Sequence, residues 1–475
     1  MQKMLIGGHL VGADEWLAVL NPYTGEPVDH VARGGAVHVD QAVALARHGA
    51  EKMREMSLSQ RAAILRHVAA LIRQERDALA TLLTQETGKL IGESRVEVER
   101  AAMVFDLAAE ACHHPRAAQF PPESFTDGAS RFGFWAREPL GVVASILAFN
   151  LPLAHAAQKT APAIAAGNAV ILKPSTEAPL TVLRLGLLLY RAGVPPEALS
   201  ILTGKGEELG HALAAHPLVQ MLTFTGSREV GLNLPTHAGA KHIEMELDTL
   251  GVLIACPTAD AEQVAEVIAC CGFAMAGQSA TSIQHVWAHR SLFEPLAEAL
   301  TARVARLRSG NPMDESVSLA PLIHPRALTR VTQWVDEAVR HGARVRWGAT
   351  AESPFYAPTV LTDVPPTCAL YTEAVFGPVV VLHAFETLTE LLAQLNRFSL
   401  GVRLAVYTRD IVEAFEIARY ARTLSVHIND APTLPMDPIM RGDLQEHHMC
   451  FEDILQRIER LSQPKYVGFG RMSLL

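Results

Sequence analysis

The sequence predicts an α/β fold built on parallel sheets, with a nucleotide-binding type of sheet in its first half. Three observations carry this. From Pro139 onward, short β-rich runs alternate with helix-length stretches. Apolar residues recur at helical spacing, as in Ile64, Leu65, Val68, Leu71 and Ile72, which share one face. The composition, 49% apolar and 19% charged, is that of a globular chain and excludes a disordered one. At 475 residues the chain exceeds one simple core, so two or three domains are expected in one compact body.

The elements follow in order. Residues 59–75 read as a helix with Ser57 and Ser59 as caps, and a second helix ends near Gly88, a residue suited to the left-handed position after a helix. Then come a buried strand at 141–148, a helix at 153–166, a strand at 169–173 and a helix at 179–192. A strand at 199–202, a helix at 207–215 and a strand at 221–224 complete the alternation. Residues 241–247 alternate, with Ile243, Met245 and Leu247 on one face and His242, Glu244 and Glu246 on the other. A second α/β block spans about 248–432, and the last strand-like run is 465–469, placed to pair with a partner chain.

The net charge of -9 argues against nucleic acid as a partner, because phosphate binding needs a basic surface. Six scattered cysteines without a CxxC pair point to a reduced, cytoplasmic setting. The first residues lack the apolar core and cleavage site of a signal peptide. The most apolar stretch, 139–172, is broken by Asn150, His155, Gln158 and Lys159, which argues against a membrane span.

Chemistry concentrates in a few motifs. Phe224-Thr225-Gly226-Ser227-Arg228-Glu229-Val230-Gly231 closes a strand and opens a helix, so backbone N–H groups can face an anion; it also reads as an ordinary tight turn. Lys173, in Ile171-Leu172-Lys173-Pro174-Ser175, ends another strand within reach of a ribose or phosphate, or is a solvated lysine. Asn150, in Phe149-Asn150-Leu151-Pro152, is placed to donate its amide to an oxyanion, or to serve its own turn. Glu246 ends an amphipathic strand, where partial burial suits a general base; exposure on the polar face is the alternative. Small residues crowd 276–282, as if a ligand or backbone passes close by.

Together and in this order, these motifs resemble the aldehyde dehydrogenase superfamily over essentially the whole chain. Asn21-Pro22-Tyr23-Thr24-Gly25-Glu26, Glu86-Thr87-Gly88-Lys89, Pro358-Thr359-Val360-Leu361, Phe376-Gly377-Pro378-Val379 and Ile428-Asn429-Asp430 extend the match, and local similarity is greatest to the lactaldehyde- and phosphonoacetaldehyde-dehydrogenase-like branch. The resemblance implies a Rossmann-type cofactor domain (1–117 and 138–245) and an α/β catalytic domain (246–432). It also implies a small β oligomerisation element (118–137 and 433–475). It implies NAD or NADP as cofactor, a small aldehyde as substrate, and a homodimer or homotetramer. By position, Asn150 resembles the oxyanion donor and Glu246 the base. Ile146, Phe149, Lys173, Ser175, Thr176, Gly206, Gly210, Phe224, Gly226, Ser227, Val230 and Phe376 resemble cofactor contacts. Thr176 stands where NAD-preferring members often carry glutamate, which removes a charge that would repel a 2′-phosphate.

The resemblance breaks at the nucleophile. In Gly277-Gln278-Ser279-Ala280-Thr281-Ser282, alanine occupies the family's cysteine position, and alanine forms no covalent intermediate. Cys270 and Cys271 follow the helical pattern of Val264, Val267 and Ile268, which predicts core packing. Ala280 is either an introduced substitution or a natural loss. Further departures favour a diverged member: Asp248-Thr249 for paired glycines, Ala374 for a glutamate that holds the nicotinamide ribose, Ala320 for a glycine, and a changed loop at 439–448. Glu446-His447-His448 and Cys450 lack metal-ligand spacing, so no metal is expected. The resulting expectation is an aldehyde dehydrogenase by resemblance that is inactive in aldehyde oxidation. The alternative is a natural pseudoenzyme with a ligand-binding, structural or regulatory role.

Overall fold

The computed structural model describes residues 1–114, 118–120, 132–398, 402–423, 425–432 and 454–469. The loop at 439–448 and Cys450 lie outside the described residues. Two seven-stranded sheets dominate. The first has the spatial order His242–Leu247, Met221–Gly226, Val142–Ile146, Ala169–Lys173, Leu199–Ile201, Met4–Ile6 and His9–Val11. Its first five strands are parallel, joined by the expected helices, and the N-terminal hairpin adds antiparallel at the far edge.

The parallel strands read as continuous apolar runs because helices cover both faces. Val143, Ile171 and Leu222 are completely buried. Burying each such side chain contributes about 2 kcal/mol, which fixes the strands and the loops leaving their ends. Helix Pro152–Ala166 is buried over its whole length and packs on helix Ile91–Ala111. Helix Leu58–Gln74 starts from Ser57, whose hydroxyl accepts from the Gln60 N–H, so Ser57 rather than Ser59 is the cap. Gly88 follows helix Arg76–Thr87 with φ 72°, as expected.

The second sheet has the order Arg344–Trp347, Thr359–Thr362, Val379–Phe385, Ile283–His289, Leu250–Ala255, Val402–Tyr407 and Ser425–Ile428. Val286, Val360 and Val380 pack in a core with Val264, Ile268 and Leu300 from its covering helices. A third, three-stranded sheet joins Ala118–Phe120, Phe132–Pro139 and Ser462–Phe469. The C-terminal strand, longer than the expected 465–469, therefore pairs antiparallel with a strand of its own chain. No helix among the described residues is long and apolar enough to cross a membrane.

Candidate active site

The C-terminal ends of the first sheet's parallel strands open onto a cavity of ≈790 Å³, the crevice where α/β sheets bind ligands. Loops at the ends of second-sheet strands close the opposite wall, through Ser279, Ala280 and Ala374. Every residue expected at the site, from Ile146 and Asn150 to Ala280 and Phe376, lines this one cavity.

Lys173 ends its strand and is 2% exposed, so it is not a solvated surface lysine. Burial lowers its pKa from 10.5 to about 8, against the pull of Glu177. A Cβ built on Gly206 would stand 3.6 Å from the Lys173 Nζ, which places the start of helix Gly206–Ala215 beside the ammonium. Thr176 Oγ1 donates to the Gly204 carbonyl at 3.2 Å, and the Ser175 hydroxyl donates to the Glu177 carboxylate. At Gly226 a Cβ would meet the Phe224 ring at 2.6 Å, so only glycine closes this turn without displacing the ring.

Asn150 sits past the end of strand Val142–Ile146 and is 5% exposed. Its Nδ2 donates to the Gln278 carbonyl at 3.1 Å, while its Oδ1 is buried without a hydrogen-bond partner among the described residues. The turn is held from behind by Glu97, which the sequence reading missed. One Glu97 oxygen accepts from the Leu153 and Ala154 N–H groups at 2.9 and 3.1 Å, and the other pairs with the buried Lys89 ammonium. A carboxylate there satisfies the first N–H groups of the helix and suits its positive end.

The segment leading to Ala280 is equally constrained. Met275, Ala276 and Gly277 all have left-handed φ, at 48°, 55° and 70°. A Cβ on Gly277 would lie 2.1 Å from the Gly377 carbonyl oxygen, so glycine is required. Gln278, 1% exposed, accepts from the Ile323 N–H at 2.9 Å and donates to the Met275 and Pro321 carbonyls at 3.1 and 3.3 Å. Thr249 Oγ1 donates to the Ala280 carbonyl at 2.6 Å. The loop is thus fastened around Ala280, which lines the cavity. No cysteine lines the cavity among the described residues. Cys270 is exposed rather than packed in the core, and its hydrogen bond with Cys271 lowers its pKa from 9.0 to about 6. Ser279 and Thr281 do line the cavity, but their hydroxyls bond each other at 3.1 Å.

Glu246, expected as a partly buried general base, is partly buried and ion-paired. Its Oε1 accepts from Lys159 Nζ at 3.0 Å and Arg457 Nη2 at 2.8 Å, and its Oε2 from Thr225 Oγ1 at 3.1 Å. Glu244, on the same strand face, is 4% exposed and 3.8 Å from Lys159, so this face is not the solvated one. Two cations therefore occupy one carboxylate oxygen. Arg457 comes from the C-terminal helix Ile454–Arg460, inside the segment expected to serve oligomerisation.

Asp248 follows Glu246 into the cavity wall. Burial raises its pKa from 3.8 to about 6, partly offset by Arg330. Arg330 donates to the Val375 and Phe376 carbonyls at 3.1 and 3.5 Å. Phe376 has φ 49° and sets its ring edge-on to Phe149 at 6.1 Å. Ala374 completes this wall with a methyl group, and Glu373 does not line the cavity. Among the described residues, no cluster of three or more His, Cys, Asp or Glu is placed to hold a metal ion.

Two α/β sheets that meet at strand-end loops, with a glycine-lined crevice on one side and an asparagine facing a small-residue loop on the other, define a dinucleotide-and-carbonyl type of site. The comparisons agree: the profile of the aldehyde dehydrogenase family matches residues 11–442, and the chain belongs to that family. It is 32% identical over 464 residues to the 3-sulfolactaldehyde dehydrogenase of Priestia aryabhattai, covering 98% of this chain and 97% of that protein. Among solved structures it resembles aldehyde dehydrogenase 21 from Physcomitrella patens in complex with the reaction product succinate. The TM-score is 0.96 at 29% identity, over 100% of this chain and 99% of that one. It also resembles the glyceraldehyde-3-phosphate dehydrogenase of Methanocaldococcus jannaschii complexed with NADP. There the TM-score is 0.92 at 28% identity, over 96% and 100% of the two chains.

Proposed function

We propose that this chain binds NAD or NADP together with a small, negatively charged aldehyde, and that as it stands it does not oxidise that aldehyde. The observation that carries the second half is the methyl of Ala280 on a cavity wall that lacks a thiol among the described residues. The family's oxidation begins with a thiolate attack that alanine does not make. Asn150 remains available to polarise a carbonyl, yet there is no covalent adduct for it to stabilise.

The residues present fit a dinucleotide. Lys173 offers a buried ammonium beside Gly206, and the turn at Gly226 presents bare backbone where a Cβ would collide. Asn150 and His155 line the same cavity, and their Oδ1 and Nδ1, buried without a partner among the described residues, call for polar ligand groups. When bound, the nicotinamide would supply hydride acceptance. Lys173, Ser175 and Thr176 would hold its adenosine side, and the neutral Thr176 leaves NADP as acceptable as NAD. Negative charge on the aldehyde is supported by the sulfonate, carboxylate and phosphate groups named for the relatives, and here by Arg100 beside His155 on the cavity wall.

The Glu246–Lys159–Arg457 cluster favours a second reading, a pseudoenzyme whose base is also committed to structure. We assign the chain to the cytoplasm as a homo-oligomer, with the domain boundaries given above. The test is a calorimetric titration of the unmodified chain with NAD and with NADP. Saturable binding of either supports the dinucleotide reading, and binding of neither refutes it. Aldehyde oxidation by the Ala280→Cys variant then favours a dehydrogenase lacking only its nucleophile, whereas cofactor binding without turnover favours the pseudoenzyme.

A further inference from the structure

We propose that Asp248 is a ligand-binding carboxylate of the cleft. In this reading it accepts hydrogen bonds from the vicinal hydroxyls of the ribose at the Ala280 end of a bound dinucleotide. The inference rests on the dinucleotide reading of the cavity and adds a residue and a contact to it.

Five features place it there. Asp248 lines the cavity directly after strand His242–Leu247, and its neighbour Thr249 holds the Ala280 carbonyl, so it belongs to the end of the cleft opposite Lys173. Its carboxyl receives no hydrogen bond among the described residues. Of the other carboxylates that line the cavity, Glu246 is committed to Lys159, Arg457 and Thr225 and Glu177 to Ser175, whereas Glu207 and Glu229 are exposed on the helices that start at Gly206 and Arg228. Arg330, the cation that acts on Asp248, donates to the Val375 and Phe376 carbonyls, so its field reaches Asp248 without a hydrogen bond to it among the described residues. The facing wall offers the Ala374 methyl and the rings of Phe149 and Phe376, none of which accepts a hydroxyl.

Partial burial of the Asp248 carboxyl, whose acceptors no described residue uses, carries a desolvation cost. A ligand that supplies two donors offsets that cost, and a vicinal diol matches the two oxygens of one carboxylate. The contact is not one that a purely packing role for Asp248 would produce.

The experiment measures affinities of the unmodified chain, Asp248→Ala and Asp248→Asn for NAD, ADP-ribose and ADP by calorimetry. ADP-ribose keeps the second ribose without the nicotinamide, and ADP has neither. Loss of a hydrogen bond to a charged group predicts that Asp248→Ala weakens NAD and ADP-ribose by about tenfold or more. Asp248→Asn falls between the two proteins. ADP affinity stays within about twofold in all three, which also reports that the variants are folded. Unchanged or tighter NAD binding by Asp248→Ala overturns the inference, the tighter case meaning that the side chain obstructs the cleft. Weakening of NAD alone, with ADP-ribose unaffected, overturns the ribose assignment. If the unmodified chain binds none of the three, the dinucleotide reading fails as well.

Discussion

The Asn150 side-chain amide donates to the backbone carbonyl of Gln278 at 3.1 Å, two residues before Ala280. One hydrogen bond therefore ties the strand-end turn of the first sheet to the loop leading into the second. Replacing Asn150 by alanine removes a buried donor and leaves that carbonyl unsatisfied. The expected cost is about 1–2 kcal/mol in urea unfolding. If the Ala280→Cys variant proves active, adding Asn150→Ala should lower its turnover about 100-fold, with a much smaller change in dinucleotide affinity. Equal losses in both would assign Asn150 to structure alone.

Lys159 is buried between Glu244 and Glu246, at 3.8 and 3.0 Å. Lys159→Met leaves two carboxylates without their shared cation and should destabilise the protein by about 3 kcal/mol. Arg457→Met removes the other partner of Glu246 and should loosen helix Ile454–Arg460 first, read as faster amide exchange or proteolysis there before global unfolding. Uniform destabilisation by Arg457→Met, with no local signal, would show that the pair does not anchor the C-terminal helix.

Glu97 caps helix Pro152–Ala166 through the Leu153 and Ala154 N–H groups. Glu97→Gln keeps the shape but leaves the buried Lys89 ammonium unpaired. A loss of about 3 kcal/mol follows, and Glu97→Gln with Lys89→Met should recover part of it. Simple additivity of the two substitutions would contradict the pairing.

Burial holds His155 and His285 neutral, each with its pKa lowered from 6.5 to about 3. The unfolded chain takes up protons at both sites below pH 6.5, whereas the folded chain does so only near pH 3. Stability therefore falls as pH drops through this window, by up to about 1.4 kcal/mol per pH unit for each histidine. Asp248 opposes this in part. Its folded pKa is raised from 3.8 to about 6, so its penalty is relieved as pH falls through 6. The urea midpoint should drop between about pH 6.5 and pH 5, and His285→Asn should flatten that dependence. A midpoint independent of pH across this range would refute it.

What was legible in the sequence divides by range of interaction. The βα alternation, the Gly88 cap and the turns at Gly226 and Asn150 are local, and the structure shows each within a residue or two of its expected bounds. The supports of those turns are long-range. Glu97 reaches across 56 residues to Leu153, and Arg457 across 211 to Glu246, with no motif at either end to announce the pairing. Period-2 alternation put Glu244 and Glu246 on a polar face correctly, but only the fold brings Lys159 and Arg457 to cover it. Cys270 failed the other way: helical spacing gave it an apolar face, yet it is exposed.

On the proposed reading the cleft takes a dinucleotide and an aldehyde, and Ala280 makes no covalent attack. The most direct measurement is reduced-nicotinamide formation by the unmodified chain, supplied with NAD or NADP and short carboxylated, sulfonated or phosphorylated aldehydes, after dinucleotide binding has been verified. The expected result is saturable binding with no turnover above the uncatalysed background. Sustained, protein-dependent turnover by the chain with Ala280 in place would contradict it.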